Sequence, residues 1–219
     1  MKRLFLALTG LAFGGLGLCF SPVLSSSEVQ QALEGGQAMV KPNQGYSWKG
    51  YVLKEYSNGL DLELTSPEVD AVVVGTPFER VRYQSYLAAY AKTPLSEAQA
   101  QNYARQYRNR LEFIVFAHSP SADPKEGDFL KRFGPARLVV QGYGPLRPTQ
   151  TERFGPAQDF YNIRGKGNEF RFLGYVSYIF DLNALARKGM DLKALKGTLT
   201  FSDSTGKSYR LRVSLTGYH

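Results

Sequence analysis

Cysteine, histidine and tryptophan are nearly missing from this sequence: one Cys, two His and one Trp in 219 residues. A single cysteine excludes an intramolecular disulfide and a cysteine-only zinc site. His118 and His219 are too few for a histidine-rich metal centre. They are also the only candidates for the base that a Ser or Cys hydrolase needs. No Gly-x-Ser-x-Gly elbow occurs. No block of five or more like charges occurs either, so the usual mark of a nucleic-acid-binding tail is missing. A composition 43% hydrophobic and 21% charged excludes long disorder and collagen-like repeats. A chain of this length buries roughly 70% of its unfolded surface, enough for a core without covalent staples.

What is present begins with an address. Lys2 and Arg3 precede an uncharged, mostly apolar run from Leu4 to Phe20, which Ser21 and Pro22 break. Val23-Leu24-Ser25 offers small or apolar residues where a signal peptidase reads, so residues 1–25 have the layout of a bacterial-type secretory signal. The run is about 17 residues, at the lower edge of a bilayer-spanning helix. Gly10, Gly14, Gly15 and Gly17 weaken it by about 1 kcal/mol each relative to Ala. Leu16-Gly17-Leu18-Cys19 resembles a bacterial lipoprotein box, which would make Cys19 a lipidated first residue, although Leu18 is large where that box wants a small side chain. The protein is therefore expected to be exported to the periplasm, the outer envelope or the outside, with Cys19 the candidate membrane anchor. Residues 26–44 are polar with Gly35 and Gly36 adjacent, and read as a flexible spacer with a short helical turn over Glu28 to Leu33.

Residues 45–219 read as one β-rich domain. Tyr46, Trp48, Val52 and Tyr56 recur with even spacing, and Leu60, Leu62 and Leu64 alternate with Asp61 and Glu63. Ser57-Asn58-Gly59 between them predicts a hairpin. Val69 to Val74 is a more continuously apolar strand. Thr76-Pro77-Phe78-Glu79 and Ser96-Glu97-Ala98-Gln99 are two helix starts, giving a two-helix insertion around 77–109. Strands are predicted over Leu111 to Ala117, Arg137 to Gln141, Phe160 to Arg164 and Phe170 to Phe180, with turn-rich chain over 142–158. Short helices fall around 182–196. Leu199 and Phe201, then Tyr209, Leu211, Val213 and Leu215, alternate with polar residues around the connection Asp203-Ser204-Thr205-Gly206. The fold class is mainly β with α+β character: an antiparallel β-sandwich, Ig-like in general architecture, with a partly open β-barrel as the alternative.

Little in the residues supports catalysis. Ser204 to Ser208 resembles the end of a phosphate-binding loop, but Phe201 stands where that loop needs glycine and strands flank it. Asp123, Glu126 and Asp128 crowd one loop, yet their spacing matches no calcium loop and Lys125 intrudes; no metal or cofactor is expected. Asp61 and Glu63, two apart on a strand, could form a carboxylate pair for hydrolysis. Arg132-Phe133-Gly134-Pro135-Ala136 recurs as Arg153-Phe154-Gly155-Pro156-Ala157, and the two copies could rim one binding site. Aromatics are plentiful, at 13%. Trp48 and Tyr51, next to Tyr46, and Tyr143 and Phe154 in the Gly/Pro-rich loops are the candidate ligand-binding residues. Tyr83, Tyr86 and Tyr90 with Arg80 and Arg82 form a helix face that either meets a partner or packs on the sheet.

The leading expectation is a non-catalytic exported envelope protein, lipid-anchored if Cys19 is modified, that binds a protein or envelope polymer through loops or a helix surface. A carbohydrate-binding module is the first alternative and a carboxylate-dependent hydrolase the second. The net charge of +8, two lower without Lys2 and Arg3, suits contact with anionic lipid head groups or acidic polymers outside the cytoplasm better than nucleic acid.

Overall fold

Two sets of alternating apolar side chains meet face to face, and the architecture follows from their burial. The structure is a computed structural model describing residues 20–42, 44–57, 61, 62 and 68–219. Its elements are α1 (Ser26–Ala38), β1 (Val52–Glu55), β2 (Asp61–Leu62), β3 (Val69–Gly75), α2 (Pro77–Tyr90), α3 (Glu97–Gln106), β4 (Arg110–His118), β5 (Arg137–Val140), β6 (Gly144–Leu146), β7 (Gln150–Ile163), β8 (Gly167–Asp181), α4 (Asn183–Arg187), β9 (Lys196–Ser202) and β10 (Ser208–Ser214). The larger sheet runs β1-β3-β4-β8-β7-β2, antiparallel apart from the two-residue parallel edge of β2 on β7. The smaller sheet runs β10-β9-β5-β6 and is antiparallel throughout. The fold is thus a β-sandwich with helices. The sheets stay separate, and no barrel closes among the described residues.

Val72, Val74, Leu111, Phe113, Val115, Val176, Tyr178 and Phe180 from the larger sheet pack on Leu138, Val140, Leu199, Phe201, Tyr209, Leu211 and Val213 from the smaller. Each such side chain contributes roughly 1.5–3 kcal/mol by leaving water. The hydroxyl of the fully buried Tyr178 donates to the Gly134 carbonyl at 2.7 Å, which makes its burial affordable in hydrogen-bond terms. Helices α1, α2 and α3 pack through their own cluster of Val29, Ala32, Leu33, Val81, Ala100 and Ala104.

Four expectations need correction. Residues 26–44 are not a plain spacer, because Ser26–Ala38 is a helix lying along α2. Its Gly35-Gly36 pair reads as a linker in sequence, but a Cβ on Gly36 would sit 2.7 Å from the Ser85 Cβ, so this glycine lets two helices touch. Ser85 Oγ donates to the Leu33 carbonyl across that contact at 2.6 Å. The chain also joins the fold earlier than expected. Phe20 is fully buried in the main core, Asn109 N donates to Pro22 O at 2.7 Å, and Ser25 and Glu28 form the capping box of α1. Residues 1–19, Cys19 among them, lie outside the described residues.

The hairpin expected between 46–56 and 60–64 does not form. Its Asn58-Gly59 turn lies outside the described residues, but β1 pairs with β3 at one edge of the larger sheet while β2 pairs with β7 at the other. The amides of Tyr56 and Ser57 both reach the Asp70 carbonyl, tying the end of β1 to β3. Finally, the turn-rich stretch 142–158 contains β6 and most of a 14-residue β7, far longer than Phe160 to Arg164. A register shift between Phe154 and Ala157 lets β7 pass through Gly155-Pro156, where a regular ladder would need the missing Pro N–H.

Truncating the core at Phe20→Ala is expected to lower stability by about 3–5 kcal/mol in a denaturant titration. A chain beginning at Ser26 loses that ring and the Ser25 cap together. Equal melting temperatures for chains beginning at Phe20 and Ser26 would refute this account of the N-terminus.

Candidate functional site

The period of two along a strand decides what the outer face of the larger sheet presents. Val115, Val176 and their alternates point into the sandwich, so Phe116 on β4 and Tyr175 on β8 point away from it. Register then sets Phe116 opposite Tyr175, and Tyr175 opposite Phe154 on β7. The three rings form one cross-strand row, with centroids 5.4 Å apart for Phe116–Tyr175 and 4.7 Å for the stacked Tyr175–Phe154 pair. Trp48 continues the row at 5.6 Å from Phe116. Its segment is held to the sheet by Tyr51 N donating to Trp48 O and Val74 N donating to Tyr51 O. Beyond Trp48 the row meets α2 through Tyr83, at 5.4 Å, and Tyr46, at 4.8 Å. Phe154 is the open end, 44% exposed.

A buried ion network fixes the helix end of this row. Glu79 of α2 turns inward, and Thr76 alone caps the helix. Arg80 Nε lies 2.7 Å from Glu79 Oε2, and its Nη1 lies 3.3 Å from Glu112 Oε2 on β4. Ser177 Oγ on β8 donates to the other Glu112 oxygen. Tyr46 OH donates to Glu79 Oε1 at 2.8 Å and accepts from Arg82 Nε at 2.9 Å. All three ions are nearly or fully buried. Burial opposes the charge on Arg80, but the carboxylates of Glu79 and Glu112 outweigh it and hold the guanidinium firmly protonated. The same guanidinium lies over Trp48, at 5.3 Å, and over Tyr83, at 5.0 Å. Burial pushes the Tyr175 phenol up to about 12 and that of Tyr51 up to about 12, so both stay neutral hydrogen-bonding groups across the physiological range.

The candidate ligand residues divide. Trp48 and Phe154, from distant parts of the sequence, are joined in one row. Tyr51 is buried behind it with Val73 and Ile114. Tyr143 lies elsewhere, in the β5–β6 turn, with Lys188 Nζ 4.8 Å from its ring centroid. The two residues that connect the row, Phe116 and Tyr175, were not singled out in the sequence. Strand parity puts both on an outward face, but only the register of β4, β8 and β7 aligns them. Tyr83 and Arg80 pack on this face, while Tyr90 is 65% exposed. The Phe-Gly-Pro echo does not build a matched rim, since Phe133 is buried where Phe154 is exposed. Arg153 Nε, in the second copy, donates to the Leu130 carbonyl, two residues before the first copy begins.

His118 lies farther along the outer face and bonds a carboxylate: Nδ1 is 2.8 Å from Asp70 Oδ1. Ser57 Oγ donates to that same oxygen at 2.7 Å. The Ser57 hydroxyl is thus turned to the aspartate and not to the imidazole, which is not the arrangement that activates a serine. Glu63 and the Asp61 side chain lie outside the described residues. In the acidic loop, Asp123 caps a 3-10 turn, while Glu126 pairs with Arg132 and Asp128 with Lys131. No cluster of three metal-ligating side chains occurs among the described residues.

No protein-family model and no curated protein matches the chain. Among solved structures it is similar to a protein of unknown function from Burkholderia pseudomallei K96243, with a TM-score of 0.40 and 10% identity over 89% of this chain and 92% of that one.

Arg80→Met is expected to destabilise the protein by about 3–5 kcal/mol, because it leaves two buried carboxylates without a counter-ion. The double change Glu79→Gln with Glu112→Gln in that background should recover part of the loss in a denaturant titration. No recovery would mean that charge burial is not the source of the effect.

Proposed function

We propose that this protein is a non-catalytic exported component of the cell envelope that holds an envelope polymer or protein against the aromatic row. The observation that carries the reading is the row itself: Phe154, Tyr175, Phe116 and Trp48 stand ring to ring across three strands, open at Phe154. Such a strip offers apolar area with the Tyr175 hydroxyl within it, the chemistry of a binding face. Export rests on the leader read in the sequence. Because Phe20 belongs to the core, a processing cut fits this fold only at or before the bond preceding Phe20. If Cys19 is the lipidated residue, the domain follows it without a tether.

A second reading, a carbohydrate-binding module, is favoured by one detail. Phe154 and Tyr175 are stacked with their planes 25° apart at the open end, a geometry that can receive the apolar face of a sugar ring.

Trp48 is the sole tryptophan, so selectively excited tryptophan fluorescence reports on this row alone. Titration with a panel of soluble envelope glycans is expected to shift its emission saturably if the sugar reading holds. Phe154→Ala should weaken that binding about tenfold or more, since a buried Phe side chain is worth roughly 1.5–3 kcal/mol. Silence across the panel would remove the sugar reading. For a protein ligand, a photo-crosslinking residue at position 154 should capture an envelope partner; an affinity unchanged by Phe154→Ala for any ligand found would refute the row as its site.

A further inference from the structure

The outer face of the smaller sheet has the opposite character to the aromatic row. Its four strands, β5, β6, β9 and β10, contain no Asp or Glu. Alternation sends Leu138, Val140, Leu199, Phe201, Tyr209, Leu211 and Val213 inward, and so turns Arg137, Lys196, Arg210 and Arg212 outward. All four are exposed, and among the described residues none has an acidic partner. Register fixes their layout. Arg210 pairs with Thr200, which pairs with Arg137; Arg212 pairs with Thr198, which pairs with Val139; Ser214 pairs with Lys196. Arg210 and Arg212 are about 7 Å apart along β10, and Arg137 is about 10 Å from Arg210 across two strands. The cations are spread as a lattice and do not converge. A shallow open groove of about 510 Å³ crosses this face between Val139, Lys196, Thr198, Arg212 and Ser214.

We propose that this face docks on an anionic phospholipid bilayer. A small anion would need converging, sheltered donors, and each cation here stands apart in solvent. The apolar groups among the cations decide between extended polyanions. Val139 is 42% exposed on the rung of Arg212, and its partner on β6 is Pro145, also exposed. Tyr143, in the β5–β6 turn, packs against the core with Lys188 over its ring and is not part of this display. Apolar groups between basic side chains suit a head-group layer with acyl chains beneath it. They gain nothing from a phosphodiester or acidic sugar backbone. Each Lys or Arg near an anionic membrane surface contributes about 1 kcal/mol, a factor of about five in partition. The proposal does not depend on the aromatic row, which lies on the other sheet.

Co-sedimentation of the full chain with vesicles tests it, using pure phosphatidylcholine and phosphatidylcholine with about one-third phosphatidylglycerol, a strongly negative surface. The readout is the anionic-to-neutral partition ratio, in which insertion by the apolar residues preceding Phe20 cancels. The ratio is expected to be well above one at low salt and to collapse near 1 M salt, where screening acts within about 3 Å. Arg210→Glu with Arg212→Glu should lower it at least about 30-fold relative to the parent protein, two cations at about fivefold each plus the added repulsion. Lys54→Glu with Lys125→Glu changes net charge equally off this face and should leave it within about twofold. Both altered pairs are exposed, and unchanged melting temperatures confirm that each variant folds. A ratio of one, a ratio unmoved by the Arg210/Arg212 reversal, or binding to heparin or an oligonucleotide in place of the vesicles would each overturn the proposal.

Discussion

Arg80 lies between Glu79 on its own helix and Glu112 on the central strand β4, and the rest of the aromatic face depends on that bridge. Two carboxylates and one guanidinium out of water would each be costly alone, and they persist because both carboxylates share the Arg80 guanidinium. The bridge ties α2 to β4, and Ser177 extends it to β8. Once α2 is held there, Tyr83 must stand beside Trp48, and Tyr46 reaches Glu79 from the segment that carries Trp48. The aromatic row is therefore continuous from sheet to helix for an electrostatic reason.

The sandwich separates two surface chemistries. Both sheets bury one face in a shared core, so each is left with one free face, and the alternation that fills the core also chooses what is displayed. On the larger sheet this displays rings and neutral phenols. On the smaller it displays arginine, lysine and threonine with no carboxylate. The two displayed faces share no residue, because each comes from a different sheet.

Much of this was visible in the chain as written. Pro77 after Thr76, and Ser96 with Gln99, place the starts of α2 and α3 where the structure has them, because a cap is a local event within four residues. Leu199 to Val213 could be read as a hairpin since strict alternation has no other compact solution. Asn58-Gly59 misled because a turn preference is worth little when β1 finds a longer apolar partner in β3. Gly35-Gly36 misled because a helix notch and a linker look alike until the second helix is in place. In β7, Gly155-Pro156 looked like a strand breaker, and the bulge that accommodates it is seen only in the pairing with β8.

By itself, then, the sequence determined the β-rich class, the helix starts and which side of each strand is apolar, all of which are set by composition or by neighbours a few positions away. Only the tertiary structure decided that Phe20 belongs to the core, that Trp48 and Phe154 share one row, and that four separated cations share one face. Those are matters of register and crossing between segments far apart in the chain, where a shift of a single residue turns every side chain to the opposite face.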